Sequence, residues 1–284
     1  MTERPTWGAR PGDYANTPRR ADAVRGVQTS RREASLADEA FAVTGIVWDR
    51  SLVDVANMGG TGDVGRALAR FRSRFPTMIW DAARLEGNAF TLPEVQTLLE
   101  GVTVEGKRLD DQKQILALNE GFNEVDQLVG DGAFALTKAV SDRIHSLIAV
   151  HEAIESGSFR GEGFARRGGN VQLSDGRIID GRPHGEGGET LRVAYRDLLD
   201  YLSTVQDPRH RALIYAASVI RHQLYFDGNK RTAKLMASGE LMSNGFDAIS
   251  IPYTRLHEQN LALDKLFATD DATDLMILLA DSTR

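Results

Sequence analysis

The sequence contains no cysteine. Thiol catalysis, disulfides and zinc–thiolate centres are therefore excluded, and the composition fits a reducing cytosol. No run of roughly 18 apolar residues occurs, so nothing in it reads as a membrane span. The start, MTERPTWGARPGDY, carries charges and prolines where a secretory leader needs an apolar stretch. These absences point to a cytoplasmic protein with no membrane partner. A basic excess is also missing. Lys and Arg number 34 against 40 Asp and Glu, a formal charge of −6. No broad field invites nucleic acid or an anionic surface. Runs that would read as parallel strands are lacking too.

What is present is 284 residues of ordinary globular composition, 42% hydrophobic and 26% charged, enough to bury a sizeable core. Residues 1–35 are rich in Arg, Pro, Thr, Asp and Gly and read as a flexible N-terminal arm. Residues 36–110 read as an N-terminal helical region, and 111–284 as the core. Gly60-Thr61-Gly62-Asp63-Val64-Gly65 matches G-x-G-x-x-G. That pattern binds dinucleotides only inside a βαβ unit, which is absent, so it reads as a flexible loop, with a helix expected over Arg66–Phe75.

Helical spacing resumes at Thr77 and stops at Gly87-Asn88, which tolerate the left-handed cap conformation. Thr91, Pro93 and Glu94 fit the cap, first turn and capping-box position of the next helix. Amphipathic helices are expected over Leu109–Leu128, Leu136–Ile154, Thr190–Leu202, Pro208–Tyr225 and Asn229–Asn244, where Gly245 supplies the stop. One or two more fall in Leu256–Leu279. Between them, glycine-rich Gly157–Gly188 holds two short extended patches around Ser174-Asp175-Gly176 and reads as a hairpin flap. The expected fold is all-α, about eight helices with one small β-hairpin.

The informative stretch is Gln223-Leu224-Tyr225-Phe226-Asp227-Gly228-Asn229-Lys230-Arg231-Thr232-Ala233-Lys234. A helix ends, a short polar turn intervenes, and a second helix starts with basic residues in its first turns. Helix starts present unpartnered N–H groups and partial positive charge. Gly228 lets backbone approach a bulky phosphate, and Lys230 and Arg231 add full charges. Asp227 could hold Mg²⁺ beside phosphate oxygens. Basic side chains at a helix start oppose the dipole unless an anion offsets them, which favours an anion site over a plain turn.

This stretch resembles the signature of the Fic/Doc family, H-P-F-x-D-G-N-G/K-R-x-x-R. Phe159-Arg160 after Ser156-Gly157 is similar to the family's G-x-F-R entry to the flap. The run from Leu235-Met236 to Asn244-Gly245-Phe246 and Ile251-Pro252 is similar to the helix and turn that come after the signature. Leu85-Glu86-Gly87-Asn88, with Thr91 and Glu94-Val95, resembles the family's inhibitory segment, here within 78–95. The resemblance covers about residues 75–280. It implies a helical core that binds ATP or another nucleotide with Mg²⁺ and transfers AMP to a hydroxyl of a target protein. By position, Asp227 would ligate Mg²⁺. Gly228, Asn229 and Lys230 would form the anion hole, and Arg231 would contact a distal phosphate. Asn170, Val171, Gln172 and Leu173 would belong to the flap that docks the target as an added strand. Glu86 would reach the basic residue Lys234 and restrict the site. A homodimer is a further partner to consider.

The sequence departs from the signature where it matters most. Gln223 stands at the position of the catalytic histidine, and an amide is not basic near neutral pH. His222 is adjacent, but on a helix it points about 100° away and would need a one-residue bulge to serve. Tyr225 keeps an aromatic anchor. Lys230 stands where other members have glycine, as in the Doc branch of the family, Lys234 replaces an arginine, and Ala82 a Ser or Thr. The remaining histidines, His145, His151, His184, His210 and His257, show no metal-ligand spacing, although His184 in the flap could face a substrate. Three readings result: a diverged phosphate binder with impaired AMP transfer, an active transferase using a non-histidine mechanism, and a catalytically dead regulatory or interaction module.

Overall fold

The computed structural model describes residues 38–165 and 168–283, and the arm expected over 1–35 lies outside them. Every helix and strand named here belongs to one compact unit, Ala40–Arg284. The helices are α1 (Val64–Ser73), α2 (Phe75–Leu85), α3 (Leu92–Leu99), α4 (Leu109–Gly130) and α5 (Lys138–Ile148). A hairpin of β1 (Val171–Gln172) and β2 (Ile178–Ile179) comes next. It leads to α6 (Glu189–Thr204), α7 (Pro208–His222), α8 (Asn229–Ser243), α9 (Leu256–Thr269) and α10 (Thr273–Asp281). The fold is mostly helical with one antiparallel hairpin in the register Val171↔Ile179 and Gln172↔Ile178, as expected, although the helices outnumber the eight or so expected.

Among the described elements, α7 and α8 pack against each other most extensively. Nearly all of α8 is buried, its polar Thr232, Ser238 and Glu240 included. Small residues make this fit: a side chain on Gly239 would collide with the Phe134 ring. Phe71, Phe75 and Phe122 tie α1, α2 and α4 together, with ring centroids 4.7 to 5.8 Å apart. Edge-to-face and offset contacts of this kind add to the apolar burial.

Several expected boundaries shift, each for a local reason. Helix α2 begins two residues early because Pro76 suits its first turn. Helix α5 ends at Ile148 rather than Ile154. Val150 and Ile154 fit the helical spacing but are exposed, and Glu155 takes φ 59°. Helix α7 ends at His222 because Gln223 turns left-handed, at φ 50° and ψ 63°. The capping box is present, with Thr91 N donating to Glu94 Oε2 at 2.8 Å. The glycine-rich loop at 59–65 is not loose. Thr61 and Gly62 N–H both donate to Gly245 O at 3.1 Å, Asp247 N–H to Gly59 O at 2.8 Å, and Asp63 caps α1.

Candidate functional site

Gln223 to Gly228 reverse the chain between α7 and α8. Gly228 sits at the head of α8 at φ 72° and ψ 3° with no side-chain cap. That left-handed geometry suits glycine, and the fit is close as well: a Cβ here would lie 3.0 Å from Ala149 Cβ. The turn is closed by Asn229. Its Oδ1 accepts from Tyr225 N at 2.8 Å, and its Nδ2 donates to Tyr225 O at 2.7 Å. Thr232 N already bonds Gly228 O at 2.9 Å, whereas the amides of Asn229, Lys230 and Arg231 donate to no protein group among the described residues.

Those amides border a cleft of about 510 Å³. Its floor is the 226–231 loop with Gln223. One wall is the flap at 170–174, another is α9 through Asn260, Leu263, Asp264 and Phe267, and Glu86 closes a corner. The expected flap residues Asn170, Val171, Gln172 and Leu173 all line it. Asp264 steadies the flap by accepting from Ser174 N at 3.1 Å.

Charges meet beneath the loop. Arg231 is buried, with one Nη2 contact to Glu152 and another to Asp227 Oδ1 at 3.3 Å. Its Nη1 is buried without a hydrogen-bond partner, as is Glu86 Oε1. Asp227 accepts from Gly228 N and leaves its side chain 58% exposed at the cleft rim. Glu86 Oε2 stands 3.1 Å from Lys230 Nζ. The pairing differs from the expected contact with Lys234. Lys234 lies outside the cleft lining, in a small apolar pocket under it with Asp81, Leu85 and Leu118. Burial pulls the Lys234 ammonium down to about 8, against the pull of Glu86. Among the described residues it makes no ion pair within 4 Å.

Gln223 borders the cleft with both polar ends occupied. Its Nε2 donates to Ile220 O at 2.8 Å, and its Oε1 accepts from Asn229 Nδ2 at 3.1 Å. His222, the adjacent alternative, is not brought to the cleft. No bulge turns it outward. The ring is buried against Gly45, Nδ1–H donates to Ser218 O at 2.7 Å, and burial holds its pKa down to about 4. His184 also lies away from the cleft, its Nδ1 bonded to Gly185 O.

Three further residues shape the site: His145 and Glu152, which no spacing in the sequence singled out, and Arg160, which the resemblance places only at the entry to the flap. His145 on α5 stacks on Tyr225, with ring centroids 3.8 Å apart, and its Nε2 lies 2.8 Å from Asp227 O. Burial pushes it down to about 4. Glu152 holds Arg231 from beyond α5. Arg160 is buried with four carbonyl acceptors: Gln223 O, Gly168 O at 2.9 Å, Arg182 O at 2.8 Å and His222 O at 3.2 Å. One guanidinium thus ties the end of α7 to both feet of the flap. The signal for His145 was its place on the buried face of α5, beside Ile144. Glu152 gave none, because it lies in irregular chain.

The site as built can hold a phosphate on three amides and a buried guanidinium, with a carboxylate at the rim. No protein-family model matches the chain. A protein adenylyltransferase Fic from Drosophila willistoni is 26% identical over 242 residues, 84% of this chain and 43% of that protein. Among solved structures, residues 134–508 of Fic-1 from C. elegans superpose with a TM-score of 0.61 at 18% identity, covering 94% of this chain and 74% of that one. A Fic domain containing signaling protein from Bacteroides thetaiotaomicron gives 0.62 at 21% identity, covering 86% and 89%. The fold is therefore that of Fic-domain proteins, and the sequence is distantly related to protein adenylyltransferases. The chain spans less than half the length of the curated relatives it matches. No helix among the described residues is long and apolar enough to cross a membrane.

Proposed function

We propose that this chain is a cytoplasmic Fic-type protein that binds ATP or another nucleotide, with Mg²⁺, at Asp227–Lys234, and that its transfer of AMP to protein hydroxyls is impaired. The observation that carries the binding half is the row of unpartnered amides at Asn229, Lys230 and Arg231 on a 510 Å³ cleft; Arg231 Nη1 is buried without a hydrogen-bond partner. Donors without acceptors are costly; phosphate oxygens would accept from the amides while the Arg231 guanidinium adds its charge. Gly228 brings the backbone close enough, and Lys230 adds charge at the mouth.

Mg²⁺ fits as a companion of the phosphates rather than as a resident ion. Among the described residues no three His, Cys, Asp or Glu side chains converge. Asp227 offers one exposed carboxylate, and phosphate oxygens and water would complete an octahedral shell. Such an ion would neutralise part of the phosphate charge. Lys234 supports the loop from below through the field of its ammonium. The flap residues Asn170 to Leu173 form the wall on which a target segment would add as a strand.

The impairment rests on Gln223. Its amide cannot take a proton from an attacking hydroxyl, and both its ends are tied into the loop. General base catalysis is worth roughly 10²–10⁴-fold. Glu86 restricts the same site by neutralising Lys230. The test combines calorimetry of ATP–Mg²⁺ with labelled ATP added to cell lysate. Wild type should bind and leave targets unlabelled, and Gln223→His should gain at least about 100-fold in label. Label transfer by wild type at the level of Gln223→His would defeat the impaired-transfer reading. No heat of binding would defeat the phosphate reading.

A further inference from the structure

Resting on the phosphate reading above, we infer that His145 is a positioning residue for the anion loop. As a neutral imidazole protonated at Nε2, it holds the Asp227 carbonyl and so keeps the first amides of α8 open to the cleft.

The hydrogen bonds fix the tautomer. Gly157 N–H lies 2.8 Å from His145 Nδ1 and can only donate, so Nδ1 carries the lone pair. The ring proton is then on Nε2, which donates to Asp227 O at 2.8 Å. The ring cannot swing away. It stacks on Tyr225 with an interplanar angle of 7°. The Tyr225 hydroxyl is itself anchored by Ser141 Oγ at 2.8 Å and Asp142 Oδ1 at 2.9 Å.

The carbonyl that His145 takes is not an arbitrary one. In a helix extended by one residue, Asp227 O would accept from Arg231 N, four residues on. With Gly228 turned left-handed and the imidazole drawing the Asp227 oxygen to the α5 side, the helix begins at Asn229 and the Arg231 amide stays free. Gly228 completes the seat: a Cβ there would come within 3.4 Å of His145 Cδ2 and Nε2. The other ring nitrogen extends the coupling. Gly157 leads directly into Phe159 and Arg160, and Arg160 N donates to Leu224 O at 2.8 Å. One ring therefore sets the loop from the α5 side while Asn229 closes it from within.

The experiment uses the full chain. Nitrogen-15 shifts of the His145 ring report the tautomer in wild type, with no variant needed. ATP–Mg²⁺ affinity is then compared in wild type, His145→Gln and His145→Phe, with thermal melts to confirm folding. We expect the Nε2–H tautomer. Glutamine, which keeps a donor, should bind within about threefold of wild type. Phenylalanine, which keeps only the stack, should lose roughly tenfold or more, the scale of one buried hydrogen bond. In the phenylalanine variant the amide signals of Asn229, Lys230 and Arg231 should also lose their response to ATP. An Nδ1–H tautomer would overturn the inference, and so would a folded His145→Phe that binds like wild type. If wild type binds no ATP, the phosphate reading falls. The tautomer still decides whether His145 holds the loop. If His145→Phe does not fold, the tautomer and His145→Gln carry the decision.

Discussion

Two helices packed against each other both start with an aspartate followed by basic residues and end up in opposite states. Helix α7 opens with Asp207-Pro208-Arg209-His210-Arg211, and α8 with Asp227-Gly228-Asn229-Lys230-Arg231. At α7 the aspartate is the cap itself. Asp207 Oδ1 accepts from Arg209 N at 2.9 Å, its Oδ2 pairs with Arg209 Nη2 at 2.7 Å, and Arg211 pairs with Glu240 at 2.7 Å. At α8 a glycine intervenes. Asp227 then stands one residue too early, bonds Gly228 N, and leaves three amides open. A basic first turn is thus not the mark of an anion site. The mark is a basic first turn from which the cap has been displaced.

Breaking the α8 side should have the largest effect. Arg231 is 3% exposed and faces Glu152 and Asp227. Arg231→Met should leave Glu152, 23% exposed and still bonded to Gln114, without its cation, cost about 1–3 kcal/mol in denaturant titration, and abolish ATP–Mg²⁺ binding. Retained affinity in that variant would mean that the open amides act alone.

The cations further along the two helices sharpen the contrast. Arg211 has a carboxylate, whereas Lys234 is buried without an ion pair. The native Lys234 keeps its proton only below about 8, and the unfolded one up to about 10.5. Between those values the unfolded chain binds more protons, so stability should rise with pH across that window. Asp81, Glu86, Lys230 and Arg231 are the charges around it. Lys234→Met should flatten the rise and stabilise the protein at pH 7 by about 1–3 kcal/mol. An unchanged pH profile in chemical denaturation would show that Lys234 is not the buried charge responsible.

On the α7 side the expected effect is smaller and of another kind. Asp207→Ala removes an ordinary cap and should cost about 1 kcal/mol, with ATP affinity unchanged in calorimetry. A fall in affinity would mean that the two helix starts are coupled, and the comparison would lose its force.

Much of this was legible in the sequence, and the parts that were not have physical reasons. Helix α4, the capping box at Thr91, the hairpin and the turn at Asp227–Asn229 arise from local patterns. The resemblance to the family signature supplied their arrangement. The helical period overextends α5, because Val150 and Ile154 keep that period yet face solvent. The burial of α8 was hidden, since Thr232, Ser238 and Glu240 look like a solvent face. Hardest to see were the long-range partners. His145 meets Asp227 and Arg160 meets Gln223 and Arg182, contacts that no local spacing encodes. The family resemblance directs Glu86 to Lys234, yet Glu86 pairs with Lys230, one turn nearer the cleft.

That last pairing gives the mildest test of the displaced cap. Glu86 is the charge that occupies the α8 start from outside, as Asp207 does from within at α7. The difference is in strength. Glu86 reaches only the Lys230 side chain, leaves its own Oε1 without a partner and touches none of the amides. A partly exposed ion pair of this type is worth about 0.2–1 kcal/mol. Glu86→Gln should therefore free Lys230 and tighten ATP–Mg²⁺ binding by up to about fivefold. It should also lower stability slightly, because Lys230, Arg231 and Lys234 lose their shared counter-charge. Weaker binding in this variant would identify Glu86 as part of the ligand's own support. The open start of α8 would then need that carboxylate in place, and the contrast with the self-capped α7 would be one of degree only.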